Sequence, residues 1–173
     1  FKNEDYQSAS PHLSWLLENA PTYRGERNWE RGITMYEGLA ESAEDPETKK
    51  AYLDSALTLH DQIVPTFEEA GKADVIDEVE WTINRGRFLQ THSDVYGDRQ
   101  DEVFQAYMTA YEMAPGEINP YYIRYITDTY VSREEKQKAV DFMKKAEKHY
   151  SDSADLMQYF NDTRDNLFTN PKE

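Results

Sequence analysis

The sequence predicts an all-α protein, an array of antiparallel helix pairs with about eight helices in 173 residues. Apolar residues recur at spacings of three and four, which sets their side chains on one helical face. One such skeleton also recurs along the chain. Val103, Tyr107 and Ala110 are followed by Pro115 in VFQAYMTAYEMAP, and Ala9, Leu13 and Leu16 by Pro21 in ASPHLSWLLENAP. Ala139, Met143 and Ala146 repeat it in AVDFMKKAEK, with Ser151 where the proline would fall. Proline just past such a face stops a helix, because it lacks an amide hydrogen and clashes with the turn before it. No strand-like alternation of useful length competes with this pattern.

Residues 1–21 read as a second helix of a pair, opened by Asp5-Tyr6, with Ala9, Leu13, Leu16 and Leu17 inward and Trp15 flanking. Pro11 either sits in a first turn after Ser10 or kinks the helix. The helix that should precede this one is not in the sequence, so the chain reads as an excerpt of a longer protein or as a processed one. Residues 24–42 form the next helix, on Trp29, Ile33, Tyr36 and Leu39-Ala40, with Gly32 permitting close approach. Asp45 caps a long helix from Pro46 to about Phe67, with Tyr52, Leu53, Ala56, Leu59 or His60, and Ile63 inward. Pro65 is expected to end or bend it, and Gly71 to mark the link.

Residues 74–94 carry Val75, Ile76, Val79, Ile83 and Phe88, with Gly86 as a packing point. Tyr96-Gly97-Asp98 is read as a turn before a helix from about Gln100 to Ala114. Asn119 before Pro120 caps a helix over 118–131, with Ile123, Ile126 and Tyr130 on one side. Ser132 and Glu135 read as a capping box for a helix running to about Tyr150. A last helix over 152–168 uses Leu156, Tyr159, Phe160 and Leu167, and the tail Asn170–Glu173 is expected to fray. The whole is one domain, 1–173, with pairs at 24–70, 74–115 and 118–150 between a truncated first pair and a capping helix.

Hydrophobic residues make up 38% of the chain, but tyrosine alone contributes 13 copies. Tyrosine buries its ring and keeps its hydroxyl at the edge of water, which suits thin helical layers. The formal charge is −15, from 34 acidic and 19 basic residues. Nucleic acid and anionic membrane surfaces are therefore poor partners, since both require a basic face. The charge supports solubility or recognition of a basic partner. There is no cysteine, hence no disulfide, thiol nucleophile or thiolate metal site. That suits the cytoplasm or an exported protein without disulfides. No apolar run approaches the ~20 residues of a membrane span. The chain begins at Phe1, not Met, so the lack of a visible leader leaves export open.

These residues resemble the tetratricopeptide repeat family, which stacks helix–turn–helix units of about 34 residues with a small residue, an aromatic, a small residue and a proline on each second helix. Ala9, Leu13, Leu16 and Pro21 match that spacing, as do Val103, Tyr107, Ala110 and Pro115. Ala139, Met143 and Ala146 match without the proline, and Tyr130 fits the tyrosine late in a first helix. Val103 to Ala139 is 36 residues, close to the period. The middle departs: from Ala9 the next equivalent is Ala56, with His60 and Ile63, 47 residues on. WLLENAPT, MYEGL and YLDSALTLHDQ further resemble divergent repeat proteins of the Bacteroidota, which implies a periplasmic or envelope location. The resemblance implies a right-handed superhelix of helix pairs, an α-solenoid, whose first helices line a concave face that binds an extended peptide or partner helix. Those first helices are roughly 24–42, 74–94 and 118–131.

No catalytic set emerges. His12, His60, His92 and His149 are scattered, without the four-residue spacing of metal ligands on a helix, and read as surface or packing residues. There is no nucleophile elbow, glycine-rich phosphate loop or calcium loop. Acidic runs such as Glu68-Glu69 read as solvated faces. No cofactor, metal or enzymatic activity is expected. Partner-binding residues are sought among the non-core positions of the first helices: Tyr121, Tyr122, Arg124 and Asp128 beside Ile123, Ile126 and Tyr130; Arg85, Arg87 and Gln90 beside Phe88; and Arg24, Arg27 and Arg31 on or near the first complete pair. Basic residues there suit a partner's carboxylates, while ordinary internal salt bridges are the plain alternative. The expected function is a non-catalytic scaffold for a protein or peptide partner. Self-association through unpaired repeat ends is the second expectation, and a small-ligand binder or enzyme the third.

Overall fold

The computed structural model describes residues 5–97 and 99–169, and all regular structure among them is helical. These residues form α1 (Tyr6–Asn19), α2 (Arg27–Glu41), α3 (Pro46–Glu69), α4 (Glu78–Thr91), α5 (Ser93–Tyr96), α6 (Gln100–Met113), α7 (Pro120–Ser132), α8 (Lys136–Tyr150) and α9 (Ala154–Thr169). Eight helices were expected from the pattern; the additional one is α5, a single turn closed by Gly97 at φ +69. That left-handed backbone is open to glycine without a Cβ penalty. The helices divide into two compact units, one up to residue 98 and one from Arg99 onward.

Each unit is built in the same order. In the N-terminal unit α1 packs on α2, α2 on α3 and α3 on α4; in the C-terminal unit α6 packs on α7, α7 on α8 and α8 on α9. Short links fold each helix back along the one before it. The recurring skeleton lies inward. Val103, Tyr107, Ala110, Ala139, Met143 and Ala146 are all buried, and so are Ala56, His60 and Ile63 in α3. In α1 only Leu13 is fully enclosed, where it meets Met35 and Leu39 with Tyr6, Leu17, Tyr36 and Tyr52 around them. Gly32 is a true contact point, since a Cβ there would stand 2.6 Å from Leu59 Cδ1. The C-terminal unit packs on rings: Tyr107 meets Tyr122 at 4.7 Å and Tyr125 at 5.1 Å between centroids, and Tyr111 meets Phe142 at 5.1 Å.

Several boundaries differ from the expectation. Helix α1 starts from Asp5, whose carboxylate accepts the Ser8 amide at 3.1 Å, so Pro11 lies inside the helix. Helix α3 continues through Pro65 to Glu69, because Pro65 is exposed and Phe67 beyond it is fully buried and anchors the last turn. The stretch at 74–77 is not helical in continuity with α4: Ala73–Val75 form a 3-10 turn, and Asp77 restarts the helix by accepting the Glu80 amide at 3.0 Å. Ser132 and Glu135 do not make a capping box. Ser132 is the last residue of α7, with its Oγ donating to Thr129 O at 2.9 Å, and Glu134 turns the chain at φ +59. Glu135 instead accepts from Lys138 Nζ at 2.9 Å. Asp45 and Asn119 cap α3 and α7 as the sequence suggests, accepting from Thr48 N at 2.8 Å and Tyr121 N at 2.9 Å. Asp98 and the tail from Asn170 lie outside the described residues.

Candidate functional site

In the N-terminal unit, α2 and α4 run in parallel and are tied to each other at both ends. Trp81 Nε1 donates to Glu26 Oε2 at 2.9 Å where the two helices begin, and His92 Nε2 lies 3.1 Å from Glu37 Oε1 where α4 ends. Between the ties is a cleft of about 290 Å³. Glu30, Ile33 and Glu37 form its α2 wall, Trp81, Asn84, Arg87, Phe88 and Thr91 its α4 wall, and His60 of α3 its floor. Spacings of three, four and seven place each wall on one face of its helix.

The floor is aromatic. His60 meets Trp81 at 5.8 Å and Phe88 at 5.2 Å between ring centroids. It is only 8% exposed, and its Nδ1 is buried with no hydrogen-bond partner. Burial pushes its pKa down to about 4, against the pull of Asp61 beside it, so the ring is neutral near pH 7. The lining therefore holds two carboxylates against one guanidinium, that of Arg87. Arg87 lies 3.4 Å from Asn84 Oδ1.

The C-terminal unit has the corresponding pair, α7 and α9, and there the gap is filled. The Arg124 guanidinium lies over the Tyr159 ring, 5.2 Å from its centroid, and donates to Asp155 O at 3.1 Å. The Tyr159 hydroxyl donates to Asp128 Oδ1 at 2.5 Å. Burial first, and the Asp128 carboxylate second, push the Tyr159 phenol up, so it remains a donor.

The binding residues sought in the sequence fall as follows. Arg87 lines the α2–α4 cleft. Arg85 is turned to α3, with Nε 2.5 Å from Asp61 Oδ1, and Gln90 is half-buried on α4. Arg27 and Arg31 are exposed on α2. Arg24 precedes that helix, at φ +63, with its guanidinium 5.3 Å from the Tyr23 ring centroid. Arg124 and Asp128 are engaged with α9, as above. Tyr122 packs on Tyr107, and Tyr121 stacks edge-on against Tyr122 at 5.3 Å while remaining half exposed. Glu30, Glu37, His60, Trp81, Asn84 and Thr91 were not among the residues sought. Their signal was present as two helical faces, 30-33-37 and 81-84-88-91, in consecutive first helices.

A larger groove of about 660 Å³ lies on another flank of α2, between α1 and α3. Its walls mix hydroxyls and an amide (Ser14, Ser55, Thr58, Gln62) with apolar Leu17, Leu59 and Pro65, and the carboxylates of Glu18 and Glu69. Its aromatic residues are already occupied: Trp29 Nε1 donates to Pro21 O at 2.8 Å, and Tyr36 Oη lies 3.5 Å from Ser14 Oγ. Volume alone does not favour it over the smaller cleft, where an unpartnered buried nitrogen and opposed charges converge. No group of three or more metal-ligating side chains occurs among the described residues, and no helix among them is long and apolar enough to cross a membrane. No family model, curated protein or solved structure is similar to this chain.

Proposed function

We propose that this chain is a non-catalytic interaction scaffold of the tetratricopeptide-like kind, an α-solenoid that holds a protein or peptide along the face made by its first helices. The observation that carries the reading is the α2–α4 cleft: two parallel first helices, tied at both ends, present polar side chains around an aromatic floor. Peptide grooves on helical arrays have this composition, with an enclosed anchor point and a polar rim. Arg27 and Arg31, exposed on α2, add to the surface that the N-terminal unit offers such a partner.

The test is site-specific photo-crosslinking. A photoreactive residue at Thr91, exposed on the cleft wall, is compared with one at Lys145, exposed on the second helix α8. The scaffold reading expects a discrete polypeptide adduct from Thr91, absent from Lys145 and weakened by Trp81→Ala. Equal adducts from both positions, or none from Thr91, would reject it.

A second reading, self-association of repeat ends, is favoured by one observation. Trp15 on α1 is 59% exposed, a large ring left in water on the first helix. Sedimentation that shows a monomer whose mass does not change with Trp15→Ser would remove this alternative.

A further inference from the structure

We propose that the α2–α4 cleft is an anchor pocket for an arginine side chain of the partner, taken over the Trp81–His60–Phe88 floor between Glu30 and Glu37. This rests on the scaffold reading and names the chemistry that the scaffold selects. Three observations converge on it.

The first is charge. Glu30 and Glu37 stand on one wall, His60 is neutral, and Arg87 is the only cation in the lining among the described residues. A third carboxylate, that of Glu26, accepts from the Trp81 indole beside the cleft. The second is the floor. A guanidinium is the most weakly hydrated of the side-chain cations and stacks on aromatic faces, tryptophan best of all. The cleft's 290 Å³ is at the small end of ligand sites, which suits one long side chain and not an extended cofactor. The buried Nδ1 of His60 has no partner within the chain.

The third observation is internal. The corresponding gap in the C-terminal unit holds the chain's own guanidinium, that of Arg124, over an aromatic ring and within the same network as a carboxylate. The burial pattern of α2, at Trp29, Gly32, Ile33 and Met35, repeats in α7 at Ile123, Ile126, Thr127 and Thr129. The residue following the first of these is Arg124 in α7 and Glu30 in α2. One gap holds its own cation over a ring; the other presents a carboxylate at the same position, with its one lining cation, Arg87, on the opposite wall. An arginine from outside completes the arrangement.

The probe is a capped glycine pentapeptide with a single central arginine. Its control has citrulline in place of arginine, the same shape without the charge. Binding is followed by amide and indole chemical shifts of the full chain. The expected result is saturable shifts of the Trp81 indole N–H and of amides around His60 and Asn84. Citrulline should bind about tenfold or more weakly, as should the arginine peptide to a Glu30→Gln, Glu37→Gln double variant. Arg87→Gln, which removes the opposing cation, should strengthen binding by roughly two- to threefold. Equal binding of arginine and citrulline peptides, shifts located elsewhere, or indifference to the double variant would overturn the proposal. A polypeptide cross-linked at Thr91 but insensitive to Glu30→Gln and Glu37→Gln would retain the scaffold and discard the arginine anchor. Loss of both would discard the two together.

Discussion

The α2–α4 gap and the α7–α9 gap are the same place in two copies of one four-helix layout, and they are finished in opposite ways. Between α7 and α9 the Arg124 guanidinium lies over the Tyr159 ring and donates to Asp155 O, and the Tyr159 hydroxyl donates to Asp128, while Arg124 Nε is buried with no hydrogen-bond partner. Between α2 and α4 the ties are pushed to the two ends, and the middle is left open over His60. The skeleton position that is Met143 in α8 is His60 in α3, a polar ring with a buried nitrogen left over. A buried polar atom without a partner costs of order 1–3 kcal/mol, and each gap carries one: His60 Nδ1 in the N-terminal unit and Arg124 Nε in the C-terminal unit.

The largest effect in this comparison is expected at the skeleton itself. Tyr107 is fully buried against two tyrosines, so Tyr107→Ala should destabilise by about 3–5 kcal/mol, read from urea unfolding. His60→Ala, beside an existing cleft, should cost under about half as much. Equal costs would mean that the two slots are equivalent and the contrast false.

The next effect is pH-dependent. His60 has a folded pKa near 4 against an ordinary value of 6.5, so between those values the unfolded chain holds more protons and stability falls as the pH drops. The loss attributable to this one residue reaches roughly 3 kcal/mol at most by pH 4. His60→Met, which installs the residue found at the same skeleton position of α8, should flatten the dependence between pH 6.5 and 4 and raise stability near pH 5. An unchanged profile would show that His60 titrates in the open.

Arg124→Ala should cost about 1–2 kcal/mol by emptying the α7–α9 gap. It should also give that gap an affinity for the same arginine pentapeptide, visible as shifts near Tyr159 and partial recovery of stability. Failure of any rescue would mean that the gap closes on itself and does not require a cation. The smallest expected effect is at the cap of α7. Asn119→Ala removes the acceptor of the Tyr121 amide and should cost about 1 kcal/mol, with faster hydrogen exchange limited to the first turn.

Most of the helical order was legible because it rests on local signals. Asp45-Pro46 and Asn119-Pro120 are caps whose geometry depends on a few neighbouring residues, and both formed as read. The skeleton residues were legible for a similar reason, since burial of one face follows from spacing. Pro65 does not end α3, because an anchor two residues further on, Phe67, outweighs a missing hydrogen bond on the exposed side. Ser132 and Glu135 had the spacing of a capping box, but Glu134 takes a left-handed conformation between them, which no sequence pattern announced. The site was the least legible part. Basic residues in an acidic chain drew attention to Arg85 and Arg124, yet their pairing depends on Asp61, Asp155 and Tyr159, which are distant in sequence. The cleft depends on two faces from different helices, and only packing brings 30-33-37 opposite 81-84-88-91.

The most direct test of the scaffold is selection of a random displayed peptide library on the full chain, followed by hydrogen exchange of the chain with one selected peptide bound. The account predicts peptides that carry arginine, slow exchange in α2 and α4, and lose binding when Glu30 and Glu37 become glutamine. Peptides without a basic residue, protecting α1 and α3 and leaving α2–α4 exchange unchanged, would contradict it.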